Sequence, residues 1–200
     1  FCCEFHKTID PVSLVIKIDP SNPGDPNEKA RILNLIKEIK GSIDRPNLPQ
    51  IVVIQDVLSQ YGMDKIINAF DIYASSARGK SKNLTMLKCI AQSKLCVAVH
   101  TAIHSDLFQD YEQGHSFYVL EPALKMAPMY NSADLWARPD LGHLMYQMRS
   151  AFRDFYTPTA KNLAKEIADK TKEKYDSSIV LNKMAKLLES KEELTSEIVL

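Results

Sequence analysis

"SSARGKSKNLTMLKCIAQSKLCVAV", residues Ser75–Val99, reads as the end of a strand, a basic loop, a helix and a second strand. The segment Leu95–His100, "LCVAVH", is short and continuously apolar, as a buried strand is. Between the strands, Leu84, Leu87 and Ile90 or Ala91 recur at helical spacing. The loop Arg78 to Leu84 therefore falls between the carboxyl end of a strand and the start of a helix. In a parallel sheet that is where ligands bind and where free helix N–H groups face anions. Its lysines Lys80 and Lys82, with Lys88 inside the helix, form either an anion site or a solvated charged surface.

Outward from this stretch the same alternation continues. "SLVIKI" (Ser13 to Ile18), "IVVIQ" (Ile51 to Gln55), "DIYASS" (Asp71 to Ser76) and "SFYVL" (Ser116 to Leu120) read as further strands. Ile32, Leu35, Ile36 and Ile39 share one helical face, and Met63, Ile66, Ile67 and Phe70 share another. Strands apolar enough to be covered on both faces, alternating with helices, predict an α/β fold: a Rossmann-like parallel sheet with helices on both faces. The loop "DPSNPGDPN" (Asp19 to Asn27) is turn-forming punctuation that ends on Asn27, a helix N-cap type. The opening run "FCCEFHKTI" has the apolar spacing of the middle of a helix, so the chain is expected to be a fragment lacking its start.

Past Tyr156 the composition turns to Lys, Glu, Ala and Leu, which predicts two amphipathic helices. The expected organisation is a Rossmann-like domain over 1–156 and a helical extension over 157–200. Leu181, Met184, Leu187 and Leu188 give the last helix an apolar face suited to packing or to a protein partner.

Lys plus Arg and Asp plus Glu balance at 25 each, so no global field draws the chain to nucleic acid or to an anionic membrane. The apolar runs are strand-sized, far short of the roughly 20 residues of a membrane span. Cys2, Cys3, Cys89 and Cys96 lack metal-ligand spacing, and two of them sit on a predicted helix and a buried strand. Reduced thiols in an intracellular, cytoplasmic-type compartment suit them better than disulfides; incorporation into a larger particle is left open. His100 and His104 flank a loop after a strand without partners at ligand spacing, Trp136 with Pro139 reads as packing, and no Ser/His/Asp arrangement is present.

The segment "IQDVLSQYGMDKIINAFDIYASSARGKSKNLTMLKCIAQSKLCVAV" resembles the carboxyl-terminal, nucleotide-sugar-binding half of retaining glycosyltransferases with the GT-B fold, the large family four group. In that family a strand of the type "ADVFVSPS" precedes Arg-Gly-Glu-Gly-x-Gly-Leu-Pro-x-x-Glu-Ala-x-Ala and a strand like "PVIAT". Asp71 to Ser76, Arg78 and Gly79, Leu84, Ala91 and "SKLCVAV" follow this pattern without a gap. Val57 and Leu58 fall where the family's chain passes the nucleotide base, and "DLWARPDLGHLMYQMRSAFRD" (Asp134 to Asp154) is similar to its Trp-Ala-x-Pro-Asp segment. The resemblance covers about Phe1 to Asp154 and implies a nucleotide-sugar donor touching Val57, Leu58, Arg78, Gly79, Lys82, Asn83 and Leu84, with no metal and no other cofactor.

The departures lie at the chemistry. The resemblance implies two glutamates eight positions apart, one near the reacting sugar and one on the ribose hydroxyls; Lys80 and Lys88 stand there instead. A lysine ammonium offers donors only, so it cannot accept the two hydroxyl hydrogen bonds that a carboxylate takes. Ser81 and Asn83 replace glycines and Thr85 a proline, which removes the close backbone approach that glycine permits. Three functions follow as expectations: a degenerate, pseudoenzyme-like relative kept for binding; an active glycosyltransferase with shifted donor recognition, in which lysines act as point charges on the leaving diphosphate; and a structural subunit of a larger assembly.

Overall fold

The computed structural model describes residues 1–18, 27–77, 83–99, 117–120, 122–126 and 135–197. Strand β1 (Ser13–Lys17) is followed by helix α1 (Asn27–Ser42), β2 (Gln50–Ile54), α2 (Gln60–Ala69), β3 (Ile72–Ser75), α3 (Leu84–Ala91) and β4 (Leu95–Val99). Then come β5 (Phe117–Leu120), β6 (Pro122–Met126), β7 (Leu135–Pro139), α4 (Leu141–Phe155), α5 (Pro158–Tyr175) and α6 (Ser177–Glu197). β1 pairs parallel with β2, β3 with β4, and β4 with β5, the last through Cys96↔Phe117 to Val99↔Leu120. The expected α/β architecture, with parallel strands, crossover helices and helices at the carboxyl end, is the one observed. The antiparallel pair β6 and β7 is an addition that the alternation of apolar runs did not announce.

β4 organises the core. All five of its residues are buried, and pleating sends successive side chains to opposite faces. Cys96 and Ala98 pack with Ile67 of α2, Met86, Cys89 and Ile90 of α3, and Ile167 of α5. Leu95 and Val97 pack with Ala151 of α4 and Ala164 of α5, with Leu144, Met148 and Phe155 alongside. Small residues at these contacts let the helix backbones approach the sheet closely. The compositional change after Tyr156 brings no gap in packing, because α5 buries Ala160, Ala164, Ile167, Ala168 and Thr171 in these same layers. α6 touches α5 and leaves Leu181, Met184, Leu187 and Leu188 exposed.

Cover on both faces holds for β4 and not for β1 and β2. Val15 and Val52, opposite one another in the ladder, are 42% and 38% exposed. α1 has no buried residue, and of its expected face Leu35 and Ile39 are exposed while Ile32 and Ile36 are half-buried. β-branched residues favour a pleated, half-covered strand as much as a fully covered one, so an apolar run alone overstates the cover.

The opening run is also corrected. Residues 1–10 form turns rather than the middle of a helix, with two isolated helical bonds, from Phe5 N–H to the Phe1 carbonyl and from Asp10 N–H to the His6 carbonyl. The segment is tied down by a cation on α4. Arg149 Nη1 donates to Asp10 Oδ1 at 2.6 Å, Nη2 to Asp10 Oδ2 at 3.1 Å and Nε to Glu4 Oε1 at 2.7 Å, and Nη2 also donates to the Glu4 carbonyl. The guanidinium lies 4.3 Å from the centre of the Phe5 ring, which meets Phe152 edge-on. The bidentate fork is the geometry for which Arg is suited.

Two measurements check these assignments. Met86→Ala is expected to cost about 2–4 kcal/mol by denaturant unfolding, whereas Leu181→Ser on α6 changes stability by no more than about 0.5 kcal/mol. The hydrogen bond from Arg149 holds the Asp10 carboxyl below its usual range. Its stabilisation is therefore complete above the unfolded-state value of about 3.9 and is lost as pH falls through the lower folded value. The difference in stability between wild type and Asp10→Asn is expected to be about 1.5–3 kcal/mol and constant from pH 7 to 5, and to shrink in more acid solution.

Candidate functional site

Helices α2 and α3 both begin just beyond the carboxyl ends of strands, β2 and β3, so the unpaired N–H groups of their first turns lie where a parallel sheet takes its ligands. Each start is capped by a side chain. Ser59 Oγ accepts from Gly62 N–H at 3.2 Å, and Asn83 Oδ1 accepts from Met86 N–H at 3.0 Å. Gly62 lies close against the preceding loop: a Cβ there would meet Leu58 Cβ at 3.3 Å, so the absence of a side chain lets Leu58 fold over the first turn.

Asn83 is buried, and the Tyr73 hydroxyl on β3 lies 3.4 Å from its side-chain amide. Burial pushes the Tyr73 phenol up, with the Asn83 hydrogen bond opposing it. Asn83 has φ −95°, a backbone conformation open to any residue, so the position has no need of glycine here. Its side chain secures the helix rather than reaching outward.

Lys88 projects from α3 toward α2, where its Nζ sits 3.8 Å from Asp64 Oδ1; both side chains are about two-fifths exposed. Gln60 Nε2 donates to the same oxygen at 2.7 Å. One carboxylate on α2 thus collects a cation from α3 and an amide from its own first turn. At this exposure the ion pair is worth about 0–1 kcal/mol and is screened by salt.

Of the residues singled out from the sequence, Val57 is 78% exposed, Leu58 is half-buried and Leu84 is 61% exposed. Asn83 and Lys88 stand on α3 as described. Arg78, Gly79, Lys80 and Lys82 lie outside the described residues, as do His100 and His104. Asp64 and Tyr73 were missed. An acidic residue four places after Gln60 signals a helix-surface pair, but nothing local to the sequence says that α3 lies beside it. Cys89 and Cys96, both free, are buried in the core; burial pushes the Cys89 thiol up to about 12 and raises Cys96 as well, so neither is poised as a nucleophile. No group of three metal-ligating side chains gathers among the described residues. Among them, too, no helix is long and apolar enough to cross a membrane.

The fold is glycosyltransferase-like. It is similar to the crystal structure of a glycosyltransferase from Rickettsia africae ESF-5, with a TM-score of 0.61 at 16% sequence identity over 86% of this chain. The chain corresponds to 38% of the length of that protein, and at this identity the likeness is one of fold. No family model and no curated protein matches the sequence.

Asn83→Ala is expected to cost about 0.5–2 kcal/mol in thermal or denaturant unfolding. The loss comes from an uncapped α3 and a half-buried Tyr73 hydroxyl that loses one of its partners.

Proposed function

We propose that the chain is the nucleotide-sugar-binding half of a protein related to retaining GT-B glycosyltransferases, with an altered donor site, and that it serves binding or assembly more than sugar transfer. The observation that carries this reading is the Lys88–Asp64 pair. Where the resemblance implies a carboxylate free to accept two ribose hydroxyls, the side chain is a donor already facing a carboxylate on the neighbouring helix. Asn83, at a motif glycine, is likewise committed to capping α3. The glycosyltransferase-like fold supports the scaffold, and the exposed apolar residues of α6 support a surface for a protein partner.

A second reading, an active transferase with shifted donor recognition, draws on Asp64. Its carboxylate supplies, from α2, the acceptors that Lys88 lacks. Lys80 and Lys82 then act on the diphosphate as point charges.

Isothermal titration against UDP, GDP and their sugar conjugates separates the two. The altered-site reading predicts no binding by wild type, and binding gained in a Lys80→Glu, Lys88→Glu variant that also carries Asp64→Asn to avoid two facing carboxylates. Micromolar binding by wild type, about 8 kcal/mol, overturns that reading in favour of the transferase. Loss of that binding on Asp64→Asn would then place the ribose on α2.

A further inference from the structure

Asn83-Leu84-Thr85 is an Asn-x-Thr triplet, and at no other asparagine of the chain does serine or threonine follow two places on. Such a triplet is the acceptor signal for N-linked glycosylation, a modification ordinarily carried by surface loops. Here it spans the start of α3, with Asn83 as the N-cap and Leu84 and Thr85 as the first helical residues. The overlap has a chemical root: the carboxamide that receives a sugar at Nδ2 also offers Oδ1 to the free N–H groups of a first turn. One side chain therefore has two uses, and the fold has taken the second.

Glycan transfer forms a bond from asparagine Nδ2 to C1 of the first sugar and breaks the bond from C1 to the diphosphate of a polyprenyl-linked oligosaccharide. Nδ2 gives up one proton, and polyprenyl diphosphate leaves. Native Asn83 is closed to that reaction. It is 5% exposed, its Oδ1 accepts from Met86 N–H at 3.0 Å, and its Nδ2 lies 3.4 Å from the Tyr73 hydroxyl of β3. Closure rests on the acceptor itself, because Leu84 beside it is exposed and Thr85 is half-buried. A sugar on Nδ2 would need hydrogen-bond partners for each of its hydroxyls, whereas the layer that Met86 enters with Cys89 and Ile90 is apolar.

We propose that Asn83 accepts an N-linked glycan in the unfolded chain alone, and that this glycan and the packed α3 exclude one another. The order of events then decides the state of the chain. When α3 packs first, Asn83 is sealed at the start of its own helix and the triplet is silent. When a transferase meets the extended chain first, the sugar holds Asn83 in water, and α3 loses both its cap and its seat against Ile67 of α2 and Cys96 of β4. Met86, Cys89 and Ile90 leave the core with it, so one modification at the helix start reaches the layer that covers β4. The glycan acts as a covalent block on the fold rather than as a surface coat.

The test translates the full polypeptide, behind a cleavable signal sequence, into microsomal vesicles that hold the transferase and its lipid-linked donor, and gives folded protein the same enzyme and donor. Mass spectrometry is expected to find the glycan on Asn83 of the nascent chain and none on the folded protein. In the glycosylated chain trypsin should cut after Lys88 at least about tenfold faster than in the unmodified chain, since cleavage tracks the population with α3 open. Peptide N-glycosidase removes the sugar and makes the change Asn83→Asp, which keeps a good cap, so slow cleavage should return after refolding. Thr85→Ala, which removes the acceptor signal and leaves the cap, is expected to stay unmodified and to resist trypsin as wild type does. The proposal is overturned by a glycan on Asn83 of the folded protein, by a glycosylated chain as resistant as the unmodified one, by a chain that stays open once the sugar is removed, or by a nascent chain that leaves Asn83 bare. None of these outcomes depends on whether a nucleotide binds, so failure here is distinct from failure of the functional reading.

Discussion

The complete burial of β4 is the constraint from which the described fold follows. A strand covered on both faces must find apolar surface above and below it and a hydrogen-bonded neighbour on each side. β3 and β5 supply the neighbours, α2, α3 and Ile167 of α5 cover one face, and α4 with Ala164 of α5 covers the other. Cys96, Ala98, Ala151 and Ala164 keep these layers close. The core is thus dense where the helices cross β4 and thins toward β1 and β2, whose outer residues remain half-open.

The second organising interaction is electrostatic. Arg149 projects from the helix that covers β4 and gathers two carboxylates from the first ten residues, bringing Phe5 onto Phe152 as it does so. Its charge pairing and its ring contact act on the same segment, so an otherwise turn-rich stretch is held against the body of the fold. Phe1 and Phe5 of that segment line a cleft that Leu14 and Val15 of β1 and Ile72 and Ala74 of β3 also border.

At the candidate site, side chains that look available in the sequence are occupied. Asn83 caps α3 and meets Tyr73, and Lys88 faces Asp64 across to α2. The carboxylate of this region stands on the neighbouring helix rather than on α3. Helix N-termini stand at the carboxyl ends of β2 and β3, and the carboxylate acceptor beside them belongs to α2.

Local chemistry was legible along the chain. Strand and helix alternation, the depth of "LCVAV" and the helical pattern of the Lys- and Glu-rich carboxyl end all follow from residue type and period. What residue type could not settle was which apolar face is covered: the Leu35 and Ile39 stripe of α1 is exposed, and "FCCEFHKTI" forms turns held by an arginine nearly 140 positions away in sequence. The partner of Lys88 was hidden for the same reason. Period reports a side chain's direction from its own backbone, whereas cover, ion pairing and the cleft between β1 and β3 depend on which elements become neighbours, and that is decided only when the whole chain packs.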